Sequence, residues 1–366
     1  MNLNINEEKV LNLLRQDPFM SQKELAEKVH VSRPAVANII SSLQQKGYIL
    51  GKPYLLRQDT YVTCCGGANV DVGLKVTGDL IKGTSNPVHA RKSFGGVVRN
   101  VAENLARLGL NVSLMSLIGD DAYGQELISF NSELMETFAS DILPHESTGT
   151  YYSIIDQDGD MKYGFADMQI NRLMDRSWVL KHKKHLLMSA YIIADMNVSK
   201  DGLEALLEIK EEMKIPLAII GVSGPKMSHL PENINGLDLL ICNIDESMTY
   251  FKQSKRDPKV LVNSWLDKGV NAVIITDGTN GSYIGYNQKV HHQKAYMVEK
   301  TLVKDVTGAG DAFSSAVLYG IIKGEKLETA AKLGAINSSL TVQVPFAVNP
   351  NISIKKIEKE LNNYDN

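Results

Sequence analysis

Cysteine is scarce in this sequence. Among 366 residues there are three, Cys64 and Cys65 side by side and Cys242 far downstream. That gives neither a disulfide framework nor the paired spacing of a zinc site. Long apolar runs are missing too. No stretch approaches the ~20 residues that cross a bilayer, so a membrane is not an expected partner. The opening MNLNINEEKV lacks the apolar core of a secretory signal, and the cytoplasm is the expected compartment. The net charge is only -3, and 43% hydrophobic against 22% charged residues excludes wholesale disorder. The length suggests two or three domains.

The small net charge conceals an asymmetry. Residues 1–58 carry eight Lys/Arg against five Asp/Glu, a balance of +3 that leaves -6 on the remainder. Within this basic head three helical patterns follow one another. Asn6 is expected to cap a first helix carrying Val10, Leu11, Leu13 and Leu14. Ser21, with Glu24 three residues on, has the spacing of a capping box before Leu25, Ala26 and Val29. Ser32 caps a third helix, with Pro34 tolerated in its first turn, an apolar stripe of Val36, Ile39, Ile40 and Leu43, and Gly47 at its end. GYILGKPYLLR then reads as a short β-ribbon.

This order resembles the winged helix-turn-helix domains. The resemblance implies that the third helix enters the major groove of DNA. Ser32, Arg33, Ala35, Val36 and Asn38 are then the residues facing bases or phosphates. A charge of +3 neutralises few phosphates, so a homodimer is expected. The alternative is a helical packing or dimerisation module. The expected division is a head over 1–58 and a body over 59–366.

In the body, strand-like runs (YVTCC, VSLMSLIG, YIIADMN, PLAIIGVSG, LDLLICN, AVIITDG) alternate with helical stretches, which points to an α/β fold with a mostly parallel sheet. Segments near 80–93 and 149–166 alternate differently and suit a small antiparallel flap.

Five local patterns carry chemistry. In DVTGAGDAFSSA, the small residues Gly308, Ala309 and Gly310 precede a long helix, so amides can converge on an anion at its positive end. Asp311 stands at that helix start, placed for general-base work in phosphoryl transfer; a plain loop-to-helix turn is the alternative. FGGVVRNVAENLARLG sets Gly95 and Gly96 before a helix with Asn100 and Asn104 four residues apart on one face, suited to sugar hydroxyls. GGANVDV places Asn69 and Asp71 on one face just past the first strand, where a carboxylate can hold vicinal hydroxyls. ICNIDES offers Asn243, Asp245 and Glu246 for water or Mg²⁺ near phosphates, with helix capping by Asn243 as the alternative. TDGTNG, with Thr276, Gly278 and Gly281, is a glycine turn able to cradle phosphates.

Together and in this order the five resemble the ribokinase/PfkB family of small-molecule kinases over residues 60–360. The resemblance implies a ribokinase-like three-layer α/β/α sandwich with a small β-sheet lid. It makes Asp311 the catalytic base and Gly308, Ala309 and Gly310 the anion hole. Asn69, Asp71, Gly95, Gly96 and Asn100 become the acceptor set, joined by Asp167 from the string FADMQI. Asn243, Thr276, Gly278, Gly281 and Asn337 become ATP positions, with Asn337 in the adenine pocket. Glu246 is implied to hold Mg²⁺ through water, and Asp305 a monovalent cation such as K⁺. The longer strings TSNPV, IGDDAYGQ, FADMQI and IIADMN resemble the pseudouridine kinase branch, implying transfer from ATP to a nucleoside 5′-hydroxyl. Inosine, adenosine, ribose and fructose are the other acceptors considered. A departure is IIGVSGPK, where that branch has V-D-P-V-S; it bears on the acceptor more than on the chemistry. The rival from another class is a transcription regulator with a kinase-like body as ligand sensor.

Overall fold

A computed structural model describes residues 3–17, 20–49 and 61–365. Three helices open it: α1 (Ile5–Gln16), α2 (Gln22–Val29) and α3 (Arg33–Gln45). They close around their own core, in which Leu14, Leu25, Val36 and Leu43 are buried. Ser21 and Ser32 cap α2 and α3 as expected. The cap of α1 is Asn4, not Asn6: the Asn6 amide is itself one of the donors to the Asn4 side chain. The partner carboxylate, Glu7, also takes Lys46 Nζ at 2.7 Å and Ser42 Oγ at 2.6 Å. These bonds, Lys46 foremost, hold its pKa down at about 2. The polar cap of α1 thus also ties α1 to α3. Val36 is fully buried in the helical core and cannot face a groove, whereas Ser32, Arg33 and Asn38 are exposed. The expected ribbon falls, from residue 50 onward, outside the described residues, as does the junction near 57–60.

From residue 61 the chain runs β1 (Tyr61–Cys65), β2 (Asn69–Val76), β3 (Val88–Gly95), α4 (Val97–Arg107), β4 (Asn111–Met115), β5 (Leu117–Gly119), α5 (Ala122–Ser132) and β6 (Asp141–Leu143). Next come β7 (Thr150–Ile155), β8 (Met161–Asp167), α6 (Arg176–Lys181), α7 (Lys183–Leu186), β9 (Tyr191–Asp195), α8 (Lys200–Met213), β10 (Leu217–Ile220), β11 (Leu239–Asn243), α9 (Ile244–Phe251) and α10 (Pro258–Asp267). The chain ends with β12 (Ala272–Thr276), β13 (Ser282–Tyr286), β14 (Lys289–Gln293), α11 (Ala309–Ile322), α12 (Leu327–Thr341) and α13 (Ile354–Asp365).

Eight strands form the main sheet in the order β14-β13-β12-β11-β10-β9-β1-β4. All neighbours from β12 to β4 are parallel. Both faces are covered, which is why these strands read as near-continuous apolar runs. Ile192, Leu217, Ile219, Leu240 and Val273 pack in one core with Leu203 of α8 and Trp265 of α10. Their neighbours Ile193, Ala218, Ile241 and Ile274 pack in a second core with Leu105 of α4 and Val317 of α11. The result is the ribokinase-like three-layer α/β/α sandwich. The antiparallel pair β13–β14 turns at Asn287 and Gln288, both at positive φ (50° and 58°). Such a turn is usually signalled by glycine.

A second sheet, β3-β2-β7-β8, forms the lid. The segment NVDV, read from sequence as lying past the first strand, is itself the start of lid strand β2. The lid is mixed rather than antiparallel, because β2 and β7 run parallel. Among the described residues, no helix is long and apolar enough to cross a membrane.

Candidate active site

The site lies at the carboxyl ends of the parallel strands, where β1 turns through Gly66–Ala68 into the lid. Open α/β sheets gather ligands at that edge. Asn69 Nδ2 donates to Asp71 Oδ1 at 2.6 Å. A Cβ on Gly95 would stand 2.2 Å from Asp71 Oδ2, so this glycine admits the carboxylate. Burial drives the Asp71 pKa up to about 6, against the pull of the Asn69 bond and the Arg99 charge.

Asp311 lies in the first turn of α11, behind Gly308, whose φ is +76°. Of the amides at this turn, that of Ala309 goes to Val306 O at 3.3 Å and that of Ala312 to Gly308 O at 2.8 Å. Those of Gly310 and Asp311 take no backbone carbonyl among the described residues. Their position at a helix start suits an anion. Asn100 Nδ2 donates to Asp311 Oδ2 at 2.8 Å. Helix α4 and the Gly308–Gly310 turn therefore meet at one hydrogen bond between residues far apart in sequence. Burial raises the Asp311 pKa to about 7, Asn100 opposes it, and the negative charges of Asp195, Asp71 and Glu246 add to it. A carboxyl poised near neutrality matches what a general base requires.

Beside this turn lies a cavity of about 380 Å³, lined in part by Thr276, Gly278, Gly281, Ala309, Gly310 and Phe313. Three of the expected ATP positions thus face one space with two residues of the anion turn. Asn243 pairs with Thr276 across β11–β12. Its side chain caps α9 in a reciprocal box with Glu246, at 2.8 and 2.9 Å. The capping alternative therefore holds for Asn243. Glu246 is buried, its pKa raised mainly by burial, and only its Oε2 is engaged in that box. Asp305 Oδ1 accepts the Thr307 amide at 2.8 Å, which folds the segment leading into the glycine turn.

Three expected positions are corrected by the structure. Asn337 is fully buried and does not line the cavity. Its Nδ2 donates to Ala312 O at 2.8 Å and also reaches Ser315 and Asn104, knitting α12 to α11 and α4. Ala335, Ser338 and Ser339 of α12 line the cavity instead. Asn104, at 0% exposure, belongs to the same internal network and cannot meet a sugar. Asp167 pairs with Thr150, whereas Asp71 pairs with Tyr151 next along β7. Alternation places Asp167 on the lid face opposite Asp71.

Two positioning residues escaped the sequence reading. Asp195, at 0% exposure, ends β9 and accepts from the amides of Gly67, Val98 and Asn197 and from the Asn197 side chain, all at 2.9–3.2 Å. It binds the β1–β2 turn to the start of α4, fixing Asp71 relative to Asn100. Burial raises its pKa, and those four donors oppose the rise. Arg99, 2% exposed, gives Nη1 to Asn100 Oδ1 at 3.1 Å. That bond orients the Asn100 amide so that its nitrogen faces Asp311. Arg99 is itself held by Glu103, which also takes Arg107 at 2.6 Å. Removing one partner of a buried ion pair strands the other charge. Glu103→Ala should therefore cost about 3–5 kcal/mol, read as a lower urea midpoint, while a surface control such as Glu232→Ala should not move it.

A family model described as pfkB family carbohydrate kinase matches residues 59–354. A winged helix-turn-helix DNA-binding model matches residues 3–49. The pseudouridine kinase of Escherichia coli (strain K12) is 29% identical over 306 residues, covering 82% of this chain and 96% of that protein. An uncharacterized sugar kinase of the same organism, YeiI, is 26% identical over 355 residues, covering 96% and 97%. Among solved structures, a carbohydrate kinase from Agrobacterium tumefaciens is 26% identical and superposes with a TM-score of 0.71 over 83% of this chain and 97% of that one.

Proposed function

The chain belongs to the pfkB family of carbohydrate kinases, enzymes that transfer phosphate to a hydroxyl, and on that premise we propose that its acceptor is the 5′-hydroxyl of a ribosyl nucleoside, foremost pseudouridine. The observation that carries this reading is the Asn100–Asp311 bond, which joins a polar acceptor cradle to a carboxyl poised near neutrality. The similarity to a pseudouridine kinase along 82% of the chain supports the choice of nucleoside.

In this mechanism Asn69 and Asp71 hold the ribose hydroxyls against Gly95. Asp311 accepts the proton of the 5′-hydroxyl as its oxygen attacks the γ-phosphorus of ATP in line. The bond from phosphorus to the β,γ-bridging oxygen breaks and ADP leaves. The amides of the Gly308–Gly310 turn face the charge on the transferring group, and orientation does most of the work. Among the described residues, no three His, Cys, Asp or Glu side chains are grouped to hold a metal ion. Mg²⁺ binds through substrate phosphates, water and one or two carboxylates; Glu246, whose Oε1 lies outside the capping box, is the carboxylate that would hold it, and the ion when bound would neutralise phosphate charge. Asp305 and its turn would hold K⁺. The lid covers the sugar and keeps water from accepting the phosphate.

The acceptor is tested by kcat/KM with ATP and Mg²⁺ for pseudouridine, uridine, inosine, ribose and fructose. Pseudouridine should lead by at least tenfold, about 1.4 kcal/mol of preference. Values for ribose equal to or above those for pseudouridine would remove the nucleoside assignment.

For residues 1–58 the reading is a DNA-binding head acting in a homodimer, supported by the family match and the exposed Arg33 and Asn38 of α3. Arg33→Ala and Asn38→Ala should weaken binding to DNA from the gene's own promoter, each by about 1–3 kcal/mol if it contacts a base, with kinase turnover unchanged. Anisotropy titrations at two salt concentrations measure this. Retention no better than random DNA at low salt would make the head a packing module.

A further inference from the structure

Adjacent residues of β3 fasten the lid to the body from its two faces. Lys92 pairs with Glu126 of α5 and lies 5.5 Å from the Tyr123 ring centre. Arg91 lies on the other face. In the β2–β3 register Ser93 stands opposite Asp71 and Arg91 opposite Gly73, so Arg91 shares the face of the acceptor carboxylate. Its Nη2 donates to Pro345 O, and its guanidinium sits 5.0 Å above the Phe346 ring.

The loop it grips is placed with consequence. The next residue, Ala347, backs the anion turn: a Cβ on Gly308 would stand 2.0 Å from Ala347 O. At the other end of the loop, Val342 lines the nucleotide cavity, and its carbonyl takes the Lys304 amide at 2.8 Å. Residues 342–347 therefore touch the cavity and the anion turn together, and one lid side chain holds them from above. Arg91 and Pro345 are 254 positions apart. Their contact exists only while the lid is seated on this loop.

We propose that Arg91 is a positioning residue that couples the acceptor-side lid to the nucleotide side, so that filling the cavity holds the lid down. The proposal rests on the kinase reading of the site but not on the identity of the acceptor. Coupling of this kind is reciprocal: nucleotide favours acceptor binding by the same factor as acceptor favours nucleotide.

Hydrogen–deuterium exchange on the full chain tests it, with and without a non-hydrolysable ATP analogue and Mg²⁺. In the wild type the analogue should slow exchange both along the cavity segments 276–283 and 303–310 and in lid strand β3. The expected slowing in β3 is roughly fivefold or more, the lower end of ordinary site coupling. In Arg91→Ala the cavity segments should stay protected and β3 should not. Arg91→Lys, which keeps a donor but loses the planar stack, should fall between. Because Arg91 is exposed, melting of the variants without ligand should match the wild type. Equal protection of β3 in wild type and Arg91→Ala overturns the proposal, as does a wild-type lid that ignores nucleotide. A wild type unprotected even at the cavity overturns the nucleotide reading itself.

Discussion

Asp311→Asn should lower kcat by roughly 10²–10⁴, the range that a positioned general base supplies. The amide is nearly isosteric with the carboxyl and can still meet Asn100, so acceptor and ATP binding should largely persist. The pH profile separates this loss from a general disturbance. Only the ionised carboxylate can take the hydroxyl proton, and its pKa stands at about 7. Wild-type kcat/KM should therefore climb with pH through a limb near neutrality. Asp71, raised to about 6, shares the cleft, so the limb belongs to the interacting carboxylates together. The residual activity of Asp311→Asn should lack it.

Stability gives an independent sign. The folded-state pKa of Asp311 is raised, so the folded protein binds this proton more tightly than the unfolded chain. Its unfavourable contribution grows as pH rises from the ordinary carboxylate range toward 7. The melting temperature of Asp311→Asn relative to wild type should thus be higher at pH 8 than at pH 5. A variant with near-normal turnover would take Asp311 out of the role.

Gly308→Ala should be the second large effect, with a different cause. A left-handed backbone costs a non-glycine residue roughly 1–2 kcal/mol. Here the added Cβ would also meet Ala347 O at 2.0 Å and Ala347 C at 2.6 Å, backbone that cannot swing aside. The turn must shift, and with it the amides proposed to face the transferring phosphate. Loss of one such donor costs about 10²–10³ in kcat. Gly310→Ala is the contrasting variant. A Cβ there meets nothing within 4 Å, so its melting temperature should stay with the wild type while that of Gly308→Ala falls. Equal melting of the two, with normal turnover in Gly308→Ala, would contradict the account of the turn.

Much of the site was legible because its parts are local strings. The run from Asp305 to Ala316 needs only its own turn and helix to present Asp311. The parallel strands were legible because burial on both faces writes them as apolar runs. What escaped depends on partners elsewhere in the chain. Asp195 looks like any strand-end acid until Gly67 and Val98 deliver their amides to it. Asn337 and Asn104 sit on helices whose rotation against α11 is set by packing, so sequence could not tell an inward amide from one facing a cavity. Asp167 lies on the far lid face because β8 registers Thr150, not Tyr151, opposite it. The cap of α1 was misplaced by two residues because Asn4 and Asn6 both have capping chemistry, and Glu7 completes the box only with Asn4.

The most direct test follows the phosphate. Purified protein is incubated with ATP, Mg²⁺ and pseudouridine, and the products are identified by phosphorus–proton correlation NMR. The expected products are ADP and a nucleoside monophosphate whose phosphorus couples to the two 5′ protons of the ribose, formed roughly 10²-fold or more slowly by Asp311→Asn. Phosphate attached at another position, or ADP accompanied only by free phosphate while ribose or fructose is phosphorylated readily, would contradict the proposed reaction.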